Sequence, residues 1–109
     1  MLDVGCGGGF TAQLLSKKFH QCSILGIDMS KKPLIFAIND TIKSPKLNFK
    51  HHINKGIEAP DNSVDIVTST LVCHHMNDDE LVEFLDQAQR VAKHEVIIND
   101  VSTLFRTVF

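Results

Sequence analysis

The chain has 109 residues, eleven basic against thirteen acidic for a formal charge of −2, and 43% of its residues are hydrophobic. That is the size and apolar content of one globular domain, residues 1–109, with a buried core, and it argues against disorder. No basic run points to nucleic acid, no apolar stretch approaches bilayer length, and no charged and then apolar leader opens the chain, so neither nucleic acid nor membrane is an expected partner. The three cysteines, Cys6, Cys22 and Cys73, are odd in number, widely spaced and set in apolar surroundings. They fit reduced packing thiols of a cytoplasmic protein better than a disulfide frame, and no metal site is expected.

Met1 to Val4 reads as the end of a strand that runs straight into Gly5-Cys6-Gly7-Gly8-Gly9. Phe10, Leu14, Leu15 and Phe19 recur at helical spacing, which predicts a helix from Phe10 to Phe19 with those residues as its apolar stripe. CSILGID, Cys22 to Asp28, predicts a second strand. Ser30 is placed to cap a second helix, with Pro33 in its first turn and Leu34, Ala37, Ile38 and Ile42 on one face. LNFKHHI alternates as a half-buried strand from Leu47 to Ile53, and a loop through APDNS leads to the apolar strand VDIVTST, Val64 to Thr70.

The third helix carries the clearest signals. Asn77 and Glu80 have capping-box spacing, and Asp78 and Asp79 suit the positive end of the helix dipole. Leu81, Phe84, Leu85, Ala88 and Val91 form its apolar stripe, and Arg90, Lys93 and His94 suit its negative end. EVIINDV, Glu95 to Val101, predicts a fifth strand, and STLFRTVF reads as the opening of another helix. Strands alternating with helices imply parallel crossovers. The expected fold is therefore α/β: a Rossmann-like, doubly wound, mainly parallel sheet of about five strands in the order 3-2-1-4-5.

Four glycines in five positions need a reason, because each costs conformational entropy on folding. In an open α/β sheet, ligands bind beyond the carboxyl ends of the strands, where the first loop meets a helix N-terminus. The glycine run falls at that place, and the expectation is a ligand lying on bare main chain whose N–H groups are free to donate. A plain flexible turn is the alternative, but it needs fewer glycines. Asp28 closes the second strand, where a carboxylate can accept hydrogen bonds from both hydroxyls of a ribose; a loop or capping role is the plainer alternative. Together the two features imply a nucleoside-containing cofactor over strands one and two. A nicotinamide cofactor would fit G-x-G-x-x-G, whose third glycine is replaced here by Phe10.

LDVGCGGG followed by GID resembles the first two motifs of class I S-adenosylmethionine-dependent methyltransferases, D-x-G-x-G-x-G and then an acidic residue ending strand two. Asp3, Gly5, Gly7 and Gly9 match the first motif and Asp28 the second. Asp61 to Val101 is also similar to that family, in the small-molecule branch that includes quinone-pathway and natural-product enzymes. The resemblance implies S-adenosyl-L-methionine as cofactor and methyl transfer to a small-molecule acceptor by in-line displacement. It implies a glycine loop, Cys6 included, beneath the methionine portion, with Asp3 facing its amino group, Asp28 on the ribose and Met29 against the adenine. Asp65 takes a structural place early in strand four, and Leu71 to His75 line the mouth where cofactor and acceptor meet. The family's adenine-binding aspartate after strand three falls here on Ile53 or Asn54, and Asn54 offers an amide oxygen in its stead.

Methyl transfer from a sulfonium asks the protein mainly for orientation and exclusion of water. Where the acceptor must lose a proton, His74 and His75 are the nearby candidates for a base, with pocket lining as the alternative. His51 and His52 are adjacent on a strand and point to opposite faces, so both cannot meet one ligand. The family has a helix before strand one and two further strands after strand five, and these are expected to be lacking here. Strand five would then be an apolar edge open to pairing, as in a homodimer. The alternative function is accordingly a truncated, non-catalytic module that associates through that edge.

Overall fold

The computed structural model describes residues 1–40, 45–52, 56–70 and 76–99, together with the backbone of 104–108. At its centre is β1 (Leu2–Val4), short but flanked on both sides, by β2 (Ile24–Asp28) and β4 (Val64–Thr70). β3 (Leu47–His51) lies outside β2, and β5 (Ala92–Asn99) and β6 (Leu104–Val108) continue beyond β4 in the order β3-β2-β1-β4-β5-β6. β1 to β5 pair in parallel, as the alternation of strands and helices requires. The doubly wound order 3-2-1-4-5 is thus present, with one strand more than expected.

That extra strand corrects the reading of STLFRTVF as a helix. Leu104–Val108 runs antiparallel to β5, pairing from Glu95↔Val108 to Asn99↔Leu104. The segment is short and rich in β-branched and aromatic residues, and an isolated helix of that length is unstable in water. The β5 edge, in contrast, satisfies its main-chain groups at once. β5 is consequently an inner strand, and the open apolar edge expected there is covered; the reading of a module associating through it loses its basis.

α3 (Asp78–Val91) packs on one face of the sheet, and α1 (Phe10–Lys18) and α2 (Lys31–Asp40) on the other. Among the described residues no helix is long and apolar enough to cross a membrane. The α3 face holds the larger core, where Phe84, Ala88 and Val91 meet Leu2, Ile27, Val67, Val96 and Ile98. α3 starts as predicted: Glu80 N–H donates to Asn77 Oδ1 at 2.8 Å, and Asn77 N–H donates back to Glu80 Oε1 at 3.2 Å. It stops at Ala92, which caps the helix and begins β5 without an intervening loop.

The α1 face departs from the periodicity argument. Ala12 is the one fully buried residue of α1, whereas Phe10 is 74% exposed and Leu14 50%. Ala12 lies about 200° around the helix from Phe10, so a helix that buries one turns the other to solvent. The phase is set by Gly9, the left-handed N-cap, whose added Cβ would come 2.8 Å from Phe49 and 3.0 Å from Ala37. In α2, Leu34 and Ala37 are buried as expected, but Ile38 joins Ile35 and Phe36 at the surface. Ile42, expected on the same face, lies outside the described residues.

Candidate functional site at the carboxyl ends of β1 to β3

The glycine run leaves β1 through a backbone that only glycine adopts readily, with φ of 72° at Gly5, 53° at Gly7 and 83° at Gly9. It is not a loop of free donors. Gly5 N–H and Cys6 N–H both reach the carbonyl of Ile27, at 2.8 and 3.0 Å, and Gly9 N–H reaches that of Cys6. Gly7 N–H donates to Asp28 Oδ2 at 2.8 Å. The expectation of unspent N–H groups is corrected accordingly: four of the loop's five donors tie it to itself and to β2. The first turn of α1, in contrast, has no side-chain cap, and its first N–H groups have no carbonyl partner within the helix.

The glycines serve different ends. Around Gly7 a Cβ would meet nothing within 4 Å, so open space lies above it. Gly9 and Gly26 instead admit Phe49, and at Gly26 also Cys6, closer than any side chain would allow. Gly9 therefore does the helix–strand packing for which the nicotinamide motif uses its third glycine.

Asp28 joins loop and strand. Its Oδ2 accepts from Gly7 and its Oδ1 from Ser30 N–H, each at 2.8 Å. A carboxylate offers about four acceptor positions, so two remain for an incoming ligand. Asp3 sits deeper, only 2% exposed, and accepts from Thr68 Oγ1 at 2.9 Å. Burial raises its pKa from 3.8 to about 6, opposed by the Thr68 hydrogen bond and reinforced by the charge of Asp28. Near neutral pH it is a buried anion with one short hydrogen bond, a placement that favours a cationic neighbour. Cys6, whose thiol is pushed up to about 12 by burial and by both aspartates, is no nucleophile.

A cleft of about 550 Å³ opens beside these residues, between the strand ends and the N-terminal half of α3. That volume falls within the range of small-molecule sites. Gly5, Asp28 and Met29 line it as the sequence suggests. Asp3, Cys6, Gly7 and Gly9 do not line it, Asp3, Cys6 and Gly9 being buried and Gly7 partly exposed, while Asn54, Leu71, His74 and His75 are outside the described residues. Among the described residues no group of three or more His, Cys, Asp or Glu could hold a metal ion.

Sequence reasoning misses the far wall, formed by His52, Ile57, Met76 and Phe84 under the rim carboxylates of Asp79, Glu80 and Glu83. Ile57 is held there by Arg90, which donates to the carbonyls of Ile57 and Ala59 at 2.7 Å each and to Asp61 Oδ1 at 2.8 Å. Gln87 completes the clamp by accepting from Ile57 N–H at 3.3 Å. No local pattern links residues some thirty positions apart. The histidine pair was legible in part: His51 turns its Nε2 to the carbonyl of Met29 at 3.1 Å, and His52 faces the cleft.

This geometry has a counterpart among known proteins: residues 1–95 match the family model described as a methyltransferase domain. The chain belongs to the methyltransferase domain family. A ubiquinone biosynthesis O-methyltransferase of Vibrio cholerae is 32% identical over 80 residues, covering 72% of this chain and 32% of that protein. The mitochondrial ubiquinone biosynthesis O-methyltransferase of Saccharomyces cerevisiae is 27% identical over 95 residues, covering 86% of this chain and 28% of that protein. This methyltransferase domain thus spans about a third of the length of the curated relatives it matches. A SAM-dependent methyltransferase from Aquifex aeolicus superposes with a TM-score of 0.74 at 27% identity, over 89% of this chain and 52% of that one. Phosphoethanolamine N-methyltransferase 1 of Haemonchus contortus, solved with S-adenosylhomocysteine, shares the fold at a TM-score of 0.79 and 18% identity, over 91% of this chain and 21% of that one.

Proposed function

We propose that this domain binds S-adenosylmethionine across the ends of β1 and β2 and serves methyl transfer to a small-molecule acceptor by in-line displacement. One observation carries the reading: the left-handed glycine loop is locked, through Gly7 N–H, to a carboxylate that keeps acceptor positions toward the cleft. The residues present fit the cofactor. The open space above Gly7 admits a ligand against bare main chain, and Asp28 has room for two ribose hydroxyls. Asp3, buried and ionised near neutral pH, suits the ammonium of the methionine portion, directly or through water. Met29 presents a thioether beside Asp28 for the flat face of the base. When bound, the cofactor supplies a methyl group already activated by the sulfonium. The chain's part is to orient it and exclude water, and orientation alone is worth up to about 7–11 kcal/mol of barrier.

The O-methyltransferase relatives support a small-molecule acceptor. Titration calorimetry of the 109-residue chain with S-adenosylmethionine and S-adenosylhomocysteine tests the reading. Saturable binding is expected, weakened roughly 10- to 100-fold in Asp28→Asn, since hydrogen bonds to a charged group contribute about 1.5–3 kcal/mol. A folded native chain that gives no heat of binding, or an Asp28→Asn variant with unchanged affinity, overturns it.

A further inference from the structure

We propose that the outer face of α1 and α2 docks on an anionic lipid bilayer, its aromatic and aliphatic side chains entering the acyl boundary and its lysines held by the headgroups.

Among the described residues eight large hydrophobic side chains are exposed, and five of them, Phe10, Leu14, Ile35, Phe36 and Ile38, belong to these two helices. α3, the longer helix, exposes only Val82. Single apolar side chains at a surface need no explanation, but a contiguous patch does. Here they adjoin. Phe10 and Leu14 sit one turn apart on the side of α1 opposite the buried Ala12. Phe36 reaches from α2 to the glycine loop, where a Cβ on Gly8, two residues before Phe10, would lie 3.8 Å from its ring. The two helices form one layer on the sheet, so their outer sides make a broad platform rather than a groove.

Charge selects the occupant. Lys17 and Lys18 close α1 and Lys31 and Lys32 open α2, all four exposed, and the one acidic residue in the sequence of either helix is Asp40, at the end of α2. α3 is the opposite, with Asp78, Asp79, Glu80, Glu83 and Asp86. A second copy meeting this face through its own α1 and α2 would set lysines against lysines. A second copy presenting α3 would match the charge but offer only Val82 to the apolar patch. An anionic bilayer meets both demands, because lysine stems lie along apolar surface while their ammonium groups stay among the headgroups. The net charge of −2 does not oppose this, since five of the acids lie on α3, across the sheet, and salt screens charge beyond about 8–10 Å. Docking of this kind needs no spanning helix.

Co-sedimentation of the 109-residue chain with vesicles of phosphatidylcholine alone, and of phosphatidylcholine mixed equally with phosphatidylglycerol, tests the proposal. The native chain is expected to bind the mixed vesicles, to leave them at high salt, and to bind phosphatidylcholine alone at least about tenfold more weakly. Each lysine near an anionic surface is worth about fivefold in partition, so Lys17→Gln with Lys18→Gln should lower binding about 30-fold. Phe10→Ser with Ile35→Ser should lower it at least about tenfold while keeping the native circular dichroism, since both side chains are exposed. Should that pair not fold, the lysine pair decides. The proposal is overturned if the native chain does not bind the mixed vesicles, if it binds both kinds equally, or if either folded variant binds like the native chain. A native dimer in sedimentation velocity that the serine pair dissociates also overturns it, and gives the face to a second copy. None of these outcomes bears on cofactor binding, which calorimetry reads separately.

Discussion

The two faces of the sheet are built differently. On one, α3 is fourteen residues long, carries a complete capping box and buries Phe84, Ala88 and Val91 in a core of ten residues. On the other, α1 is nine residues long, has a glycine N-cap with no side-chain hydrogen bond, and buries only Ala12. The core beneath it joins Ala12 to Ile24 and Leu47, with Phe49 partly buried alongside. The better-packed face supplies the far wall of the cleft, and the thinner face carries the glycine loop and the buried Asp3. The difference teaches where stability is held and where it has been given up for a site: local structure that must admit a ligand against main chain cannot also be filled with side chains.

Phe84→Ala should produce the largest loss. It removes a nearly buried aromatic from the α3 core, and about 3–4 kcal/mol of stability is expected to disappear in urea unfolding. A loss below about 1 kcal/mol would mean that the α3 face is not the stronger one.

Next in size is the effect of Asp3. Its folded-state pKa lies above its unfolded value, so the native protein holds the proton more tightly and stability falls as pH rises from about 3.8 through about 6. The full effect is on the order of 3 kcal/mol, the free-energy equivalent of a shift of this size. Asp3→Asn keeps an acceptor for Thr68 and should flatten that slope between pH 4 and pH 7 while weakening cofactor binding. An unchanged slope would show that the carboxylate is not strained by its burial.

Leu14→Gln should change stability by less than about 0.5 kcal/mol, because Leu14 is half exposed on α1. A loss comparable to that of Phe84→Ala would erase the contrast between the faces.

Much of this was open to inspection in the chain itself. β4 begins and ends where its apolar run does, at Val64 and Thr70, and α3 begins at the cap marked by Asn77 and Glu80. These signals are local: a period, a cap, a run of β-branched residues. The placing of a glycine loop and of Asp28 at two strand ends was legible for the same reason, since hydrophobic pattern alone locates each end; the bond between them was not. The phase of α1 was not, because it depends on Phe49 and Ala37 filling the space beside Gly9, forty and twenty-eight residues away. Nor was β6, whose five residues choose between helix and strand only in the presence of the β5 edge.

Composition, strand–helix alternation and the Gly5–Asp28 motif thus determined the fold class and the strand ends beside which the cleft opens, since they depend on residues close together in sequence. Only the tertiary structure decided which donors remain, which glycine is open and which histidine enters the cleft. Gly7 N–H is taken by a carboxylate 21 positions away, and His52 is placed by a main-chain bond to the residue that would hold the sugar. Such long-range contacts leave no period in the sequence to read.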